Sequence, residues 1–171
     1  MADYHTPTVV SPFIPENDMT PLERLVLGLA FDEDAAGDGL VYFHSWCGPS
    51  DVVSAHAGDL KEALDASQGA NSVISDHVAA RLTKLEASGN YFPADYIELD
   101  LSGPNESHER MFQDIVRRSP TIEEIVVTEA FTCTRMCQDG FGGGLARITA
   151  DKIRYRSTTD ILEELRAEDS D

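Results

Sequence analysis

Positive charge is the scarcest resource in this chain. Thirteen Lys and Arg stand against 31 Asp and Glu in 171 residues, a formal net charge of −18. A body so charged repels nucleic-acid phosphates and anionic membranes at long range, which argues against direct binding to either. Residues 1–60 hold a single cation, Arg24, alongside Asp3, Glu16, Asp18, Glu23, Asp32, Glu33, Asp34, Asp38, Asp51 and Asp59. Long apolar runs are missing too: none nears the roughly 20 residues that a membrane helix needs. Residues 1–5 have neither the basic nor the apolar part of a signal peptide, so a cytoplasmic location is expected. Cysteine is limited to Cys47, Cys133 and Cys137. An odd set without an export signal points to free thiols or metal ligands rather than a disulfide framework.

With 42% apolar residues, the chain has the material for a packed core. Residues 1–19 carry Pro7, Pro12 and Pro15, which favour extended backbone and remove amide donors. They read as an arm that lies on the surface or reaches to a partner. Residues 20–171 read as a single α+β domain. Thr20-Pro21-Leu22-Glu23 is a capping box with proline at the first helical position, and Leu22, Leu25, Val26 and Leu29 follow on one face. The acidic stretch 32–39 reads as a solvated loop. It lacks the EF-hand pattern, with Phe43 where the closing glutamate belongs. Residues 40–46 read as a strand. Helices are predicted from Ser50 to about 66, and from 71 or 72 to the glycine at 89. Strict alternation at 95–101 predicts a half-buried strand with Glu98 and Asp100 outward. A helix over 106–118 buries Met111, Phe112, Ile115 and Val116. Residues 125–136 form a long strand, 139–144 a glycine-rich loop, and 145–156 a hairpin. A last helix turns Ile161, Leu162 and Leu165 inward, and an acidic tail follows. The sum is an α+β domain with a mostly antiparallel sheet of about four or five strands and four or five helices.

Several constellations suggest chemistry. His44 with Cys47, and Cys133 with Cys137, are two close pairs that could together supply four zinc ligands. The spacing Cys-x3-Cys departs from the usual knuckle, so core thiols and an edge histidine are the alternative. A Cys47 nucleophile with His44 as base would need a positive setting to form thiolate, which the acidic N-terminal part does not offer. A phosphate loop needs Lys-Ser/Thr and a helix after its glycines, whereas Leu145-Ala146-Arg147 follows here. Phe141 on a flexible loop reads instead as an apolar anchor for a partner. Paired acids such as Glu123-Glu124 lack anything that would split their pKa values.

The runs Phe112-Gln113-Asp114-Ile115-Val116-Arg117-Arg118-Ser119, Phe131-Thr132-Cys133, Asp139-Gly140-Phe141-Gly142-Gly143 and Ser157-Thr158-Thr159-Asp160-Ile161-Leu162 resemble uncharacterised acidic proteins of plasmids and integrative elements. The resemblance covers the C-terminal third. It implies a mobile-element setting, where counter-defence proteins are common, and it carries no activity.

These observations lead to two expectations. The first is a non-enzymatic inhibitor or adaptor of the anti-restriction or anti-CRISPR type, without catalytic residues. Its acidic face, Asp32, Glu33, Asp34 and Asp38 with Glu98 and Asp100, would imitate nucleic-acid phosphates. It would occupy a basic protein that handles DNA or RNA, such as a host-defence nuclease. The second is an interaction module, plain or stapled by zinc, that uses the proline arm and the Phe141 loop.

Overall fold

Three short strand segments open the computed structural model, which describes residues 3–137 and 139–168: β1 (Tyr4–His5), β2 (Thr8–Ser11) and β3 (Ile14–Pro15). They belong to the stretch expected to be an arm, and they lie inside a sheet. β1 and β2 share one register against a long strand further on, with Tyr4 opposite Cys133 and Thr8 opposite Glu129. On their other side β2 and β3 pair with residues 40–45. The three segments are therefore one interrupted central strand. Pro7 and Pro12 stand in the gaps between paired residues, where the ladder asks for no amide donor. Proline density signals extended backbone but not exposure: Thr8, Val10 and Ile14 are buried.

Helix α1 (Pro21–Ala30) starts as its capping box requires, Thr20 Oγ1 accepting from the Glu23 amide and the Glu23 carboxylate from the Thr20 amide. The acidic stretch after it is a strand rather than a loop. β4 (Asp32–Ala35) pairs antiparallel with β5 (Leu40–Ser45), and Asp38 sits in the left-handed region at φ 51 in the turn between them. The helix expected from Ser50 divides in two. β6 (Val52–His56) comes first because Val53 and Ala55 alternate inward, and α2 (Ala57–Ala66) follows. Then come α3 (Val73–Ala87), β7 (Tyr96–Asp100), α4 (His108–Arg118), β8 (Glu124–Cys133), β9 (Phe141–Thr149), β10 (Ile153–Ser157) and α5 (Thr158–Glu168). Of the acidic tail expected at 167–171, residues 167 and 168 end α5, and 169–171 lie outside the described residues.

All described pairings are antiparallel. The main sheet runs β10-β9-β8, then the N-terminal segments, then β5 and β4; β6 and β7 form a second, small sheet. The α+β class holds with five helices, but the main sheet has eight segments, more than expected. The surplus comes from the proline-divided central strand and the acidic strand, two stretches whose composition disguises them. One face of the main sheet, with Val10, Val41, Phe43, Ile125, Val127, Ala146 and Ile148, packs on α1 and α4. Phe31 at the end of α1 lies 6.1 Å from Phe43 and 5.8 Å from Phe112, ring centre to ring centre. Leu60, Ile74, Val78, Leu82, Ile97 and Leu99 continue the same apolar cluster under α2, α3 and the small sheet, so the chain is one domain.

A polar staple crosses this core. Glu23 is fully buried; Arg118 donates to it at 2.5 Å and Ser72 at 2.7 Å. The Asp114 carboxylate accepts from the Val73 amide at 2.8 Å and from Arg117 at 2.9 Å. The capping glutamate of α1 thus also ties the ends of α3 and α4. Among the described residues, no helix is long and apolar enough to cross a membrane.

Candidate functional site

The glycine run expected to be a loop is the first part of β9. Gly142 pairs with Phe131, Gly143 with Ala130 and Gly144 with Glu129. Contacts explain the composition. A Cβ on Gly144 would meet the Tyr155 hydroxyl at 2.4 Å, and one on Gly143 would meet the Glu129 carbonyl oxygen at 2.7 Å. Side chains are absent there so that neighbouring groups can lie directly on the β9 backbone.

That bare stretch floors a cleft. Strand β8 has 10 residues and α4 has 11. At about 3.3 Å per strand residue and 1.5 Å per helix residue, the strand is about twice as long as the helix covering it. The uncovered half of β8 and β9 leaves a hollow of about 630 Å³, lined by Glu129, Phe131, Asp139, Phe141, Gly142, Gly143, Tyr155, Thr158 and Leu162 among others. Thr6, Glu129 and Tyr155 also border a second hollow of about 260 Å³, which reaches Cys47, Asp51, His108 and Glu109.

Helix α5 flanks the larger hollow. Its Ile161, Leu162 and Leu165, expected inward, are 49%, 46% and 53% exposed. The apolar stripe of α5 is only about half covered by the described residues around it.

Two groups in the cleft are electrostatically set. The Tyr155 hydroxyl donates to Glu129 Oε1, and this bond, with partial burial and the carboxylate's charge, pushes Tyr155 up to about 12. Burial works against ionisation of Glu109. Hydrogen bonds from His108 and Ser107, with the charge of His108 at 3.2 Å, outweigh it and hold the Glu109 carboxyl at about 2. Glu109 is therefore a carboxylate across the accessible pH range and Tyr155 a neutral phenol. Neither is poised near neutrality as a general base or acid would be.

The expected site residues land in separate places. Asp32, Glu33, Asp34 and Asp38 are all exposed, on the edge strand β4 and its turn. Asp34 meets His44 at 3.1 Å, while Glu33 turns back toward Arg24 on α1 at 3.4 Å. Glu98 and Asp100 point outward from β7 in the small sheet, so the acids form two rows on two sheets rather than one. Asp100 is lowered by hydrogen bonds from the Ser102 hydroxyl and amide.

The four residues considered for zinc are not gathered. Among the described residues no three His, Cys, Asp or Glu converge as metal ligands. His44 is occupied by Asp34, Cys47 lines the smaller hollow, Cys133 ends β8 and Cys137 lies just beyond it. There a Cβ on Gly140 would lie 2.8 Å from Cys133 Cβ and 3.3 Å from Cys137 Cβ. Phe141 is 50% exposed, on the rim of the larger hollow and at the start of a strand.

Sequence reasoning missed Glu109, Glu129, Phe131, Tyr155 and Leu162. One signal was readable. Glu129 and Phe131 continue the inward parity of Ile125 and Val127, so a carboxylate stands where the alternation asks for an apolar residue.

No protein-family model, curated protein or solved structure matches the chain.

Proposed function

We propose that this protein is a non-enzymatic inhibitor or adaptor that binds a basic, nucleic-acid-handling protein through carboxylates spaced like phosphates. The observation that carries this reading is the edge strand β4. Asp32, Glu33 and Asp34 are exposed on it, Asp38 follows in its turn, and Glu98 and Asp100 form a second outward row on β7. Arg24 engages Glu33 and His44 meets Asp34, while Lys61, Arg117, Arg118, Arg147 and Arg156 are ion-paired with acids outside the rows. The net charge of −18 leaves an acidic field that speeds encounter with a cationic surface. Among the described residues β4 pairs with β5 alone, so its outer edge could take a partner strand.

The test is capture of a basic nucleic-acid-binding protein from host lysate, followed by association kinetics against salt. Association should slow at least about tenfold between low and high salt. The combined variant Asp32→Asn, Glu33→Gln, Asp34→Asn and Asp38→Asn should slow it similarly at low salt. Binding indifferent to both salt and the variant rules the reading out.

A second reading, an apolar interaction module, is favoured by Phe141 on the cleft rim and by the open stripe of α5. It proceeds without the proline arm, whose residues belong to the sheet.

A further inference from the structure

We propose that the cleft beside α5 seats an arginine side chain presented by the basic partner, with its guanidinium on Glu129 and its stem against Phe131 and Phe141. This rests on the reading that the partner is basic, and it names the contact that would turn attraction into a defined complex.

Charge selects a cation. Glu129 and Asp139 line the larger hollow, and Asp51, Glu109 and Glu129 the smaller, while among the described residues neither is lined by Lys or Arg. His108, which lines the smaller hollow, is already paired with Glu109 at 3.2 Å. A wholly apolar occupant would bury Glu129 and Asp139 without a countercharge, which is unfavourable.

Shape and stacking select arginine. The hollow of about 630 Å³ is of the size that holds a side chain or small ligand. Phe131 is braced by Tyr4, which stacks on it at 5.5 Å with 20° between the rings, so that wall is in place before binding. Phe141 is half-exposed on the rim. A planar, weakly hydrated guanidinium stacks on such rings, whereas an ammonium keeps its water.

Glu129 is oriented for the task. Its Oε1 accepts from Tyr155, leaving Oε2 without a protein donor among the described residues. The glycine floor keeps the approach open, since side chains at 142–144 would crowd Thr158, Tyr155 and the Glu129 backbone.

The experiment is an amide chemical-shift titration of the full chain with Nα-acetyl-arginine-methylamide, beside its neutral isostere Nα-acetyl-citrulline-methylamide. The arginine probe should give saturable shifts at Glu129, Gly142, Gly143 and Thr158, and the citrulline probe should not. Glu129→Gln, in which Tyr155 can still donate to the amide oxygen, should weaken the arginine probe about tenfold or more, the factor carried by one charge-assisted hydrogen bond. Phe141→Ala should weaken it as well, and neutralising Asp32, Glu33, Asp34 and Asp38 should leave it unchanged. Equal binding of the two probes to the unaltered chain, shifts centred on β4, or indifference to Glu129→Gln would each overturn the proposal. Arginine binding in the cleft with no basic protein captured from lysate refutes the proposed function and leaves the cleft standing. Capture of such a protein with a silent cleft does the reverse.

Discussion

Gly144 and Tyr155 occupy one space. Because a Cβ at 144 would stand 2.4 Å from the Tyr155 hydroxyl, Gly144→Ala must displace the ring. At Gly143 the obstacle is the Glu129 backbone, which yields less readily, and at Gly142 it is the Thr158 hydroxyl at 3.2 Å. Overpacking of this kind costs about 1–3 kcal/mol. Urea unfolding should rank Gly143→Ala and Gly144→Ala as clearly destabilised and Gly142→Ala as nearly neutral. Tyr155 also gives a spectroscopic mark. An ordinary tyrosine ionises near 10, and this one is pushed up to about 12. The folded state favours the protonated phenol, so its contribution is present below about pH 10 and is lost as pH rises through 12. Phenolate absorbance should show late ionisation, with Tyr4 also raised by the charges of Cys133 and Asp139 beside it, and Glu129→Gln should move only the Tyr155 step back toward 10. A curve unaltered by that substitution would mean that the Tyr155–Glu129 bond does not form in solution.

Helices α1, α3 and α4 meet at Glu23, and the staple has two unequal halves. Glu23 is fully buried, while the Arg118 side chain is 25% exposed. Arg118→Met leaves the carboxylate in the core without its countercharge, a loss of about 3 kcal/mol, at the low end for a buried pair because Arg118 is partly hydrated. Glu23→Gln with Arg118→Met should recover part of it. If the double variant is no more stable than the single, the pair is not the source of the loss. The N-terminal segments make a second claim of this kind. Deleting residues 1–15 removes the strand between β8 and β5, so it should abolish cooperative unfolding rather than merely weaken partner binding. A truncated chain that melts like the full one would show those segments to be dispensable.

For the molecule as a whole, charge and shape act at different ranges. The net charge of −18 is felt over about a Debye length, roughly 10 Å at 0.1 M salt, and governs how fast a cationic surface arrives. The cleft acts only on contact and governs how long it stays. Salt should therefore change mainly the association rate, and Glu129→Gln or Phe141→Ala mainly the dissociation rate. If both changes fell on one rate constant, steering and anchoring would not be separate functions of this surface.

Local chemistry was legible without a structure wherever the signal was local. The capping box at Thr20–Glu23, the alternation that turns Glu98 and Asp100 outward, and the apolar stripe of α4 are written in spacings of two to four residues, and the fold obeys them. The acidic excess is likewise a property of composition alone. What folding alone decided depended on which segments pair and pack, most of them far apart along the chain. Proline-rich residues 4–15 are central because β8, over a hundred residues later, supplies their ladder. Asp32–Ala35 is a strand because β5 lies beside it, against the poor β-propensity of acids. The cleft exists because β8 outruns α4, and Ile161, Leu162 and Leu165 stay half-exposed because β9 and β10, the strands α5 touches, cover them only in part. Periodicity tells which side of an element is apolar; only long-range packing decides whether that side is covered.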